Sequence, residues 1–456
     1  MSTAREAAGA DAPAEHVTPY DRLALDDREA EQLLARGTHR GELEAFFGER
    51  EYRELAQLAH AAHRRPLHRG APRVLLVPGV MGTQLGMARR APLPNDVLWL
   101  DPVDIGAGRL RALTMREPSA VRPLGVVLFS YLRLKLRLRA AGMSPLVHVY
   151  DWRCDLEVLG RELAALIEQQ PLVPLMVVGH SMGGLVARAA LALPAGERVQ
   201  RVVLLGTPNT GSYAPVQALR GTYAVVRKIA RLDHIHSAET LAGEVFRTFP
   251  SLYQMLPWKR SDGLDLYDSA AWPHTGPQPD PTLLARARTV QKLLAPADPR
   301  FTAVVGVGQE TVTAIARRRE EFLYTVSRQG DGTVPRDRAE LPGATTYYAA
   351  VSHSDLTRSD AVAAAVADVL RRGHTTRLPT RASRRARAIA RVGDRALRRS
   401  HAGKVDWGAL TPEQRREFLQ NLNEPPHLVL RVPGPTRSRA VRSVPAGSRR
   451  RTRHRG

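Results

Sequence analysis

The stretch that decides the fold is "LMVVGHSMGGLVAR", residues 175–188. An apolar run leads into Gly-x-Ser-x-Gly, and a helical pattern follows. This order predicts a strand, a sharp turn that carries Ser181, and a helix that begins at Met182. Gly179 and Gly183 are small where the strand and the helix would approach closely. Ser181 is therefore the candidate nucleophile, and the alternative is a Gly-rich turn without a chemical role.

Short apolar runs recur on both sides of this stretch. Several are nearly continuous Val and Leu, which is typical of strands buried on both faces of a parallel sheet. Because helical stretches lie between the runs, the sequence predicts an α/β fold with right-handed crossovers. Residues 129–142 favour a helix, although Leu alternates with Arg and Lys at 129–139 and a strand is the alternative there. The runs are 73–79, 145–152, 174–179, 199–206, 301–308 and 344–351.

A serine hydroxyl needs a base to become a nucleophile near neutral pH. In folds with this turn the chain order is Ser, acid, His. "SRQGDGTVPRD" (327–337) places Asp331 in a tight loop, and "YYAAVSHSDL" (347–356) places His353 behind a strand. The sequence thus predicts the triad Ser181, Asp331 and His353.

The acid and the base predicted for this triad each have an alternative interpretation. Asp331 could be an ordinary turn residue, with Asp337 or Asp355 as the acid, and His353 could be a surface histidine. Because adjacency does not aim its ring at the serine, His180 is interpreted as a packing residue. His148 lies in mid-strand and is interpreted as part of the core.

"RVLLVPGVMGTQLG", residues 73–86, is a strand that ends in a glycine-rich loop. The loop after such an early strand supplies a second backbone donor to the oxyanion hole. We therefore expect the N–H groups of Val80 and Met182 to form this hole, with Met81 as the alternative to Val80. An ordinary Gly-rich turn is the other interpretation.

The charge is concentrated at the C-terminus. The net charge of the 456 residues is +22, and residues 371–456 hold 23 Lys and Arg against 5 Asp and Glu. The preceding 370 residues hold 44 Lys and Arg against 40 Asp and Glu, so the charge of this part of the chain is nearly balanced. The single Cys154 excludes an intramolecular disulfide, and we see neither a secretory signal nor an apolar run long enough for a spanning helix. We expect a soluble cytoplasmic protein that needs no cofactor and no metal.

A series of motifs resembles the lecithin:cholesterol acyltransferase family over residues 72–372. The resemblance implies an α/β-hydrolase fold, with a mostly parallel sheet, flanking helices and a helical lid, that acts on acyl esters of lipids. By motif position, Ser181 matches the nucleophile, Asp331 the acid, His353 the base, and Val80 and Met182 the oxyanion donors. The motifs are "VPGVMGTQL" (77–85), "LWLDP" (98–102), "YDWR" (150–153), "GHSMGG" (179–184), "LGTPNTGS" (205–212), "FPSLYQMLP" (249–257) and "GDGTVP" (330–335).

The remaining segments complete the predicted organisation. Helical periodicity covers 26–36, with Gly37 as its C-cap, and 41–63, while 373–404 is Arg/Ala-rich and suggests a helix. Residues 411–422 begin with a capping-box pattern. The predicted units are a disordered 1–16, a helical lead-in at 17–69, an α/β-hydrolase domain at 70–372 with a lid at about 209–300, and a partly disordered Arg-rich tail at 373–456.

These features predict acyl transfer on lipid esters through an acyl-enzyme on Ser181. The first alternative is a lipase, phospholipase or carboxylesterase that hydrolyses the same esters. The second is an idle scaffold whose Arg-rich tail binds nucleic acid or anionic lipid. Such a tail would also give an enzyme a peripheral contact with an anionic membrane or with nucleic acid.

Overall fold

Strands and helices alternate along most of the chain. The computed structural model describes residues 17–18, 26–64, 66–115, 119–258, 263–382, 387–399 and 403–422. Its strands, in chain order, are β1 (Arg73–Val77), β2 (Thr83–Met87), β3 (Asp96–Trp99), β4 (Arg122–Val126), β5 (Ser144–Val147), β6 (Leu175–His180), β7 (Val199–Leu205), β8 (Phe301–Gly306), β9 (Thr311–Arg318), β10 (Glu321–Ser327), β11 (Thr345–Ala349) and β12 (Ala390–Gly393).

The α-helices range from one turn to four turns in length. In chain order they are α1 (Asp27–Arg36), α2 (Arg40–Phe47), α3 (Glu49–His63), α4 (Pro102–Gly106), α5 (Leu128–Ala140), α6 (Leu156–Glu168), α7 (Met182–Leu191), α8 (Ala214–Leu219), α9 (Ala224–Leu232), α10 (Ala238–Glu244), α11 (Pro250–Gln254), α12 (Pro281–Ala287), α13 (Arg336–Ala339), α14 (Asp360–Arg372), α15 (Asp394–Arg399) and α16 (Pro412–Gln420).

The central sheet has six parallel strands in the order β11-β8-β7-β6-β1-β5. Each of them lies within one of the six predicted apolar runs or starts within one residue of it. Because side chains alternate along a strand, Leu75 and Val77 enter one hydrophobic core while Val74 and Leu76 enter another. Burial on both faces explains why several of the runs, such as those of β1 and β6, are nearly continuous apolar residues rather than alternating.

Helices cover both faces of the sheet. Helices α6 to α12 contribute to the core that contains Leu75, and α1, α3, α5 and α14 contribute to the core that contains Val74. A mostly parallel sheet with helices on both faces confirms the predicted fold class, the α/β-hydrolase fold.

Helix α5 confirms the helix predicted at 129–142 and excludes the strand alternative at 129–139. Its alternating Leu residues are buried all round because the helix lies between the sheet and the N-terminal helices. Two of the basic residues between them are largely buried and paired: Arg133 contacts Glu51 and Glu54 of α3, and Lys135 contacts acids of α1. A helix buried on two sides loses the one-sided pattern by which helices are usually detected.

The long interval between β7 and β8 is helical, with α8 to α12 in its described part. Buried aromatic residues hold these helices together, among them Phe246, Phe249 and Tyr253. Together with the loop after β7, they provide one wall of the cavity described below. The lid interpretation and the domain boundaries stay predictions.

Two three-stranded antiparallel sheets, β3-β2-β4 and β12-β10-β9, did not emerge from the sequence. The strands of the first are short and contain register shifts. In the second, β12 lies where the composition suggested a helix. That expectation is wrong for Ala390–Gly393, which pairs with Leu323–Val326, whereas Asp394–Arg399 does form a helix, α15. The buried Asp394 binds Arg220 of the helical insertion at 3.0 Å.

At the chain ends the outcome is mixed. Gly37 adopts the left-handed conformation of a C-cap, and α16 begins with the predicted capping box at Thr411 and Gln414. The second predicted helix of the lead-in is divided by Gly48 into α2 and α3. The predicted disordered segments 1–16 and 431–456 lie outside the described residues.

The ion pairs of Lys135 give a test of how firmly the N-terminal helices are attached. Its ammonium is 2.8 Å from Asp27 and 2.7 Å from Glu31, and the side chain is 4 % exposed. Lys135→Ala leaves two carboxylates without this partner, so we expect a loss of about 3 kcal/mol in the free energy of unfolding. Urea unfolding measures it.

Arg137 on the same helix is the matched control. Its pair with Asp360 is solvent-exposed. Arg137→Ala should therefore cost about 0–1 kcal/mol. Equal losses of unfolding free energy in the two variants would show that the Lys135 ion pairs do not fix α1 to the rest of the fold.

Candidate active site

Ser181 sits on a strained turn between β6 and α7. Its backbone angles are φ 53° and ψ −128°, a region that residues with a Cβ rarely adopt. The turn is tight because glycines let three backbone segments meet. A Cβ on Gly183 would lie 2.1 Å from the Val77 carbonyl oxygen, and one on Gly179 would lie 2.6 Å from the Cα of Gly184. The predicted arrangement of strand, serine and helix is present.

Asp331 and His353 come from two neighbouring loops and are hydrogen-bonded. The Nδ1 of His353 is 2.7 Å from Asp331 Oδ2, and the backbone N–H of His353 donates to the Asp331 carbonyl at 2.8 Å. The other carboxylate oxygen accepts from the N–H groups of Thr333 and Val334. Since the carboxylate accepts, the proton of the imidazole lies on Nδ1 and Nε2 is left as the basic nitrogen.

The alternative acids lie elsewhere. Asp355 accepts a hydrogen bond from Ser352 at 2.8 Å, and Asp337 belongs to α13 beside a different surface cavity. Asp331 is completely buried behind His353. Of the three acids considered from the sequence, Asp331 is the one hydrogen-bonded to the His353 ring.

Ser181 and His353 line the same cavity. Both are nearly buried, and no hydrogen bond joins their side chains in this structure. Such bonds often tighten only when a substrate is bound. The cavity is mostly apolar, and its lining residues are Val80, Met81, Gly82, Ser130, Tyr131, His180, Ser181, Pro208, Ser212, Ala214, Pro215, Ala218, Tyr223, Leu252, Met255, Thr333, Val334, His353, Ser354 and Thr357.

The loop after β1 lies directly against the serine. A Cβ on Gly79 would lie 2.7 Å from the Ser181 Cβ, and Met81 has a positive φ of 64°. In the described part of the chain, the backbone N–H groups of Val80, Met81 and Met182 have no hydrogen-bond partner. They are thus unused donors close to Ser181, and the choice between Val80 and Met81 stays open.

Side chains from the other motifs hold this loop in place. The indole N–H of Trp99 donates to the Met81 carbonyl at 3.0 Å, and that of Trp152 donates to the Thr83 carbonyl at 2.9 Å. The Tyr150 hydroxyl donates to the Pro78 carbonyl. The motifs at 98–102 and 150–153 therefore share one structural role, which is to fix the backbone around Val80.

Two further histidines near the site are buried and have lowered pKa values. His148 stacks on Tyr150, and burial lowers its pKa to about 4. His180 contacts the Tyr131 hydroxyl and the His353 carbonyl, and burial with the nearby His353 lowers its pKa to about 3. Both are neutral near pH 7. Sequence reasoning missed Tyr131, because nothing local distinguishes it from other residues of a buried helix.

Within the ranges that the structure covers, no cluster of His, Cys, Asp and Glu could hold a metal ion. No described helix is long and apolar enough to cross a membrane.

One comparison with known protein families agrees with the fold. A family model described as a PGAP1-like alpha/beta domain matches residues 163–244, which include β6, Ser181, α7 and β7. No curated protein matches the chain.

Among solved structures, the Tle4-Tli4 complex contains a similar chain with 16 % identity and a TM-score of 0.47, and the alignment covers 66 % of this chain and 99 % of that one. The mature Bacillus licheniformis lipase BlEst2 is 14 % identical with a TM-score of 0.33, over 64 % of this chain and 89 % of that one. A soluble variant of the Saccharomyces cerevisiae monoglyceride lipase is 14 % identical with a TM-score of 0.32, and the alignment covers 68 % of this chain and 91 % of that one.

His148 provides a test of the buried, neutral histidines by pH. Its pKa in the folded state is about 4, below the ordinary value of about 6.5. Below pH 6.5 the imidazole binds a proton in the unfolded state but not in the folded state. The free energy of unfolding is therefore highest above pH 6.5 and decreases as the pH falls towards 4. We expect His148→Phe to flatten the decline of the unfolding free energy between pH 6.5 and 4, measured by urea unfolding. The exposed His60 is the control, and an unchanged profile in His148→Phe would contradict the burial argument.

The sheet, the turn at Ser181 and the matched family model together give the chain an α/β-hydrolase fold and support a serine hydrolase function in general. The resemblance to the lecithin:cholesterol acyltransferase family stays a prediction.

Proposed function

We propose that the protein is a serine-dependent acyl-transfer enzyme that takes the acyl group of a lipid ester onto Ser181. One observation carries the proposal. Ser181 and an Asp331-bound His353 line one apolar cavity, beside a loop with unused backbone donors. A structural Gly-rich turn would require none of these neighbours.

The proposed reaction has two steps. Nε2 of His353 takes the proton of Ser181 as Oγ attacks the ester carbonyl, and Asp331 holds the imidazolium that results. The N–H group of Met182 and that of Val80 or Met81 stabilise the tetrahedral oxyanion. His353 then gives its proton to the departing alcohol, which leaves an acyl-enzyme. An acceptor hydroxyl attacks this ester, and the same groups act in reverse.

The cavity favours an uncharged acyl chain. Among its described lining residues there is no Asp, Glu, Lys or Arg, and Leu252, Met255 and Val334 lie beside the polar atoms of the site. An apolar chain gains free energy by leaving water, whereas a charged group would be desolvated there without a partner. This supports the ester of a fatty acyl chain as substrate, with any charged headgroup outside the cavity.

The acceptor decides between the two enzyme classes. A lipid hydroxyl gives the acyltransferase that the sequence resemblance implies, and water gives a lipase, phospholipase or carboxylesterase. Both proceed through the same acyl-enzyme. We propose transfer to a lipid alcohol as the finer assignment, supported by the motif series.

The alternative of an idle scaffold is less well supported, because the hydrogen-bonded Asp331–His353 pair has no use in a binding module. Contact of the Arg-rich tail with an anionic membrane or nucleic acid stays a prediction. Residues 423–456 lie outside the described ranges, and 390–399 already belong to the fold.

Mass spectrometry of lipids tests the proposal and its acceptor. The protein is incubated with phospholipid vesicles that contain a sterol, and products are compared with those of Ser181→Ala. We expect sterol ester and lysophospholipid from the wild type, and a loss of about 10³-fold or more for Ser181→Ala. Free fatty acid without sterol ester would select hydrolysis.

Asp331→Asn gives a second variant, with an expected fall of about 10³- to 10⁴-fold because the imidazole loses its orienting acceptor. Asp355→Asn is its matched control, since Asp355 lies two residues from His353 and binds Ser352 instead. Wild-type turnover by purified Ser181→Ala would refute the proposed function. The absence of product from the wild type and from every variant would favour the idle scaffold.

A further inference from the structure

One chain of hydrogen bonds joins the three loops around the cavity. The Gly79 N–H donates to the Tyr131 hydroxyl at 2.8 Å, and this hydroxyl is 2.9 Å from Nδ1 of His180. The other ring nitrogen of His180, Nε2, is 3.1 Å from the carbonyl oxygen of His353. This series of hydrogen bonds thus begins in the loop Gly79–Gly82, which we call the oxyanion loop, passes through the neighbour of Ser181 and ends at His353.

The proton positions in this chain follow from its ends. A carbonyl oxygen only accepts, so Nε2 of His180 carries the ring proton and donates to His353. His180 is neutral because burial and the nearby His353 lower its pKa to about 3, so its Nδ1 must accept. The hydroxyl of Tyr131 therefore donates to Nδ1, and its lone pair accepts from Gly79. Burial raises the pKa of Tyr131, so this hydroxyl keeps its proton.

Packing restricts the same groups. Tyr131 is 4 % exposed in α5, and its ring meets the His180 ring edge-on with centroids 5.7 Å apart. The His180 and His353 ring centroids are 4.8 Å apart. The loop touches the tyrosine a second time, since a Cβ on Gly82 would lie 2.8 Å from its hydroxyl oxygen. A small displacement of Tyr131 would therefore move both the loop and the histidine.

We propose that Tyr131 and His180 are positioning residues, which hold the oxyanion loop at Gly79–Gly82 and the backbone of His353 in a fixed relation to Ser181. The inference rests on the proposed function and adds two residues to it. Neither residue exchanges a proton with the substrate. Their role is to keep the unused N–H groups of Val80 and Met81 and the base on one rigid frame.

Tyr131→Phe tests this role with little change in shape. It leaves the Gly79 N–H and the His180 Nδ1 without their partner, so the loop is free to shift. A displacement of about 1 Å at such a site can lower the rate about 100-fold. We expect kcat for a p-nitrophenyl ester to fall about 10- to 100-fold with KM little changed, because the donors act mainly in the transition state.

Affinity for a boronic acid, which forms a tetrahedral adduct on an active serine, supplies an independent readout. It should fall by the same factor as kcat/KM, because both depend on the oxyanion donors. A loss of fold alone would lower the amount of active enzyme and leave the inhibition constant unchanged.

Tyr347→Phe is the matched control. Tyr347 is also 4 % exposed, and its hydroxyl accepts a backbone N–H, that of Thr375, away from the cavity. It should lose a similar amount of stability in urea and keep the kcat of the wild type.

A double-mutant cycle with His180→Phe distinguishes one connected unit from two separate contacts. If the chain of hydrogen bonds acts as a unit, the double variant should lose about as much kcat as either single variant. His180→Gln serves as a second variant, because its amide can still donate to the His353 carbonyl and should retain more activity than Phe. Additive losses, or a wild-type kcat in Tyr131→Phe, would overturn the inference.

Failure of the inference is distinct from failure of the proposed function. An active Tyr131→Phe beside an inactive Ser181→Ala would remove the positioning role and leave Ser181 as the nucleophile. An active Ser181→Ala would refute both.

Discussion

The arrangement depends on the contact between Gly183 and the end of β1. At that position a Cβ would lie 2.1 Å from the Val77 carbonyl oxygen and 2.3 Å from that of Pro78, so only hydrogen fits. The contact brings the first turn of α7 beside the loop that follows β1. As a result Met182, which follows Ser181 in the chain, and the loop that carries Val80 and Met81 are both close to Ser181. Any larger residue would separate the two halves of the proposed oxyanion hole.

The rest of the chain makes this contact rigid. The parallel sheet fixes the relative positions of β1 and β6, which pair from Arg73 with Leu175 to Val77 with Gly179. Trp99 and Trp152 hold the loop through its carbonyl oxygens, whereas Tyr131 holds it through the Gly79 N–H. Since the site's donors are backbone groups, their placement requires such support from several elements.

Much of this could be predicted from the sequence, because the strongest signals are local. A buried strand followed by Gly-x-Ser-x-Gly predicts the turn at Ser181, and six short apolar runs, several of them rich in Val and Leu, predict the sheet. Asp331 and His353 were found from their chain order and loop context. The hydrogen bond between them confirms only their proximity, and their roles stay a proposal.

The parts that were missed depend on tertiary contacts. The sequence around Lys135 in α5 suggests a strand or an exposed residue, because its ion pairs are with acids of α1 that are distant in the sequence. Strand β12 exists because β10 offers a free edge, which composition cannot reveal. Tyr131 is one apolar residue among many in a buried helix, and only its position between Gly79 and His180 gives it a role.

The most direct test of the account is to identify the residue that a fluorophosphonate labels. After incubation, intact-protein and peptide mass spectrometry would locate the adduct, with His353→Ala as a variant that lacks the base. The account predicts a single adduct on Ser181 that forms far more slowly in His353→Ala. An unmodified Ser181 in a protein that still cleaves esters, or an adduct on a different serine, would contradict it.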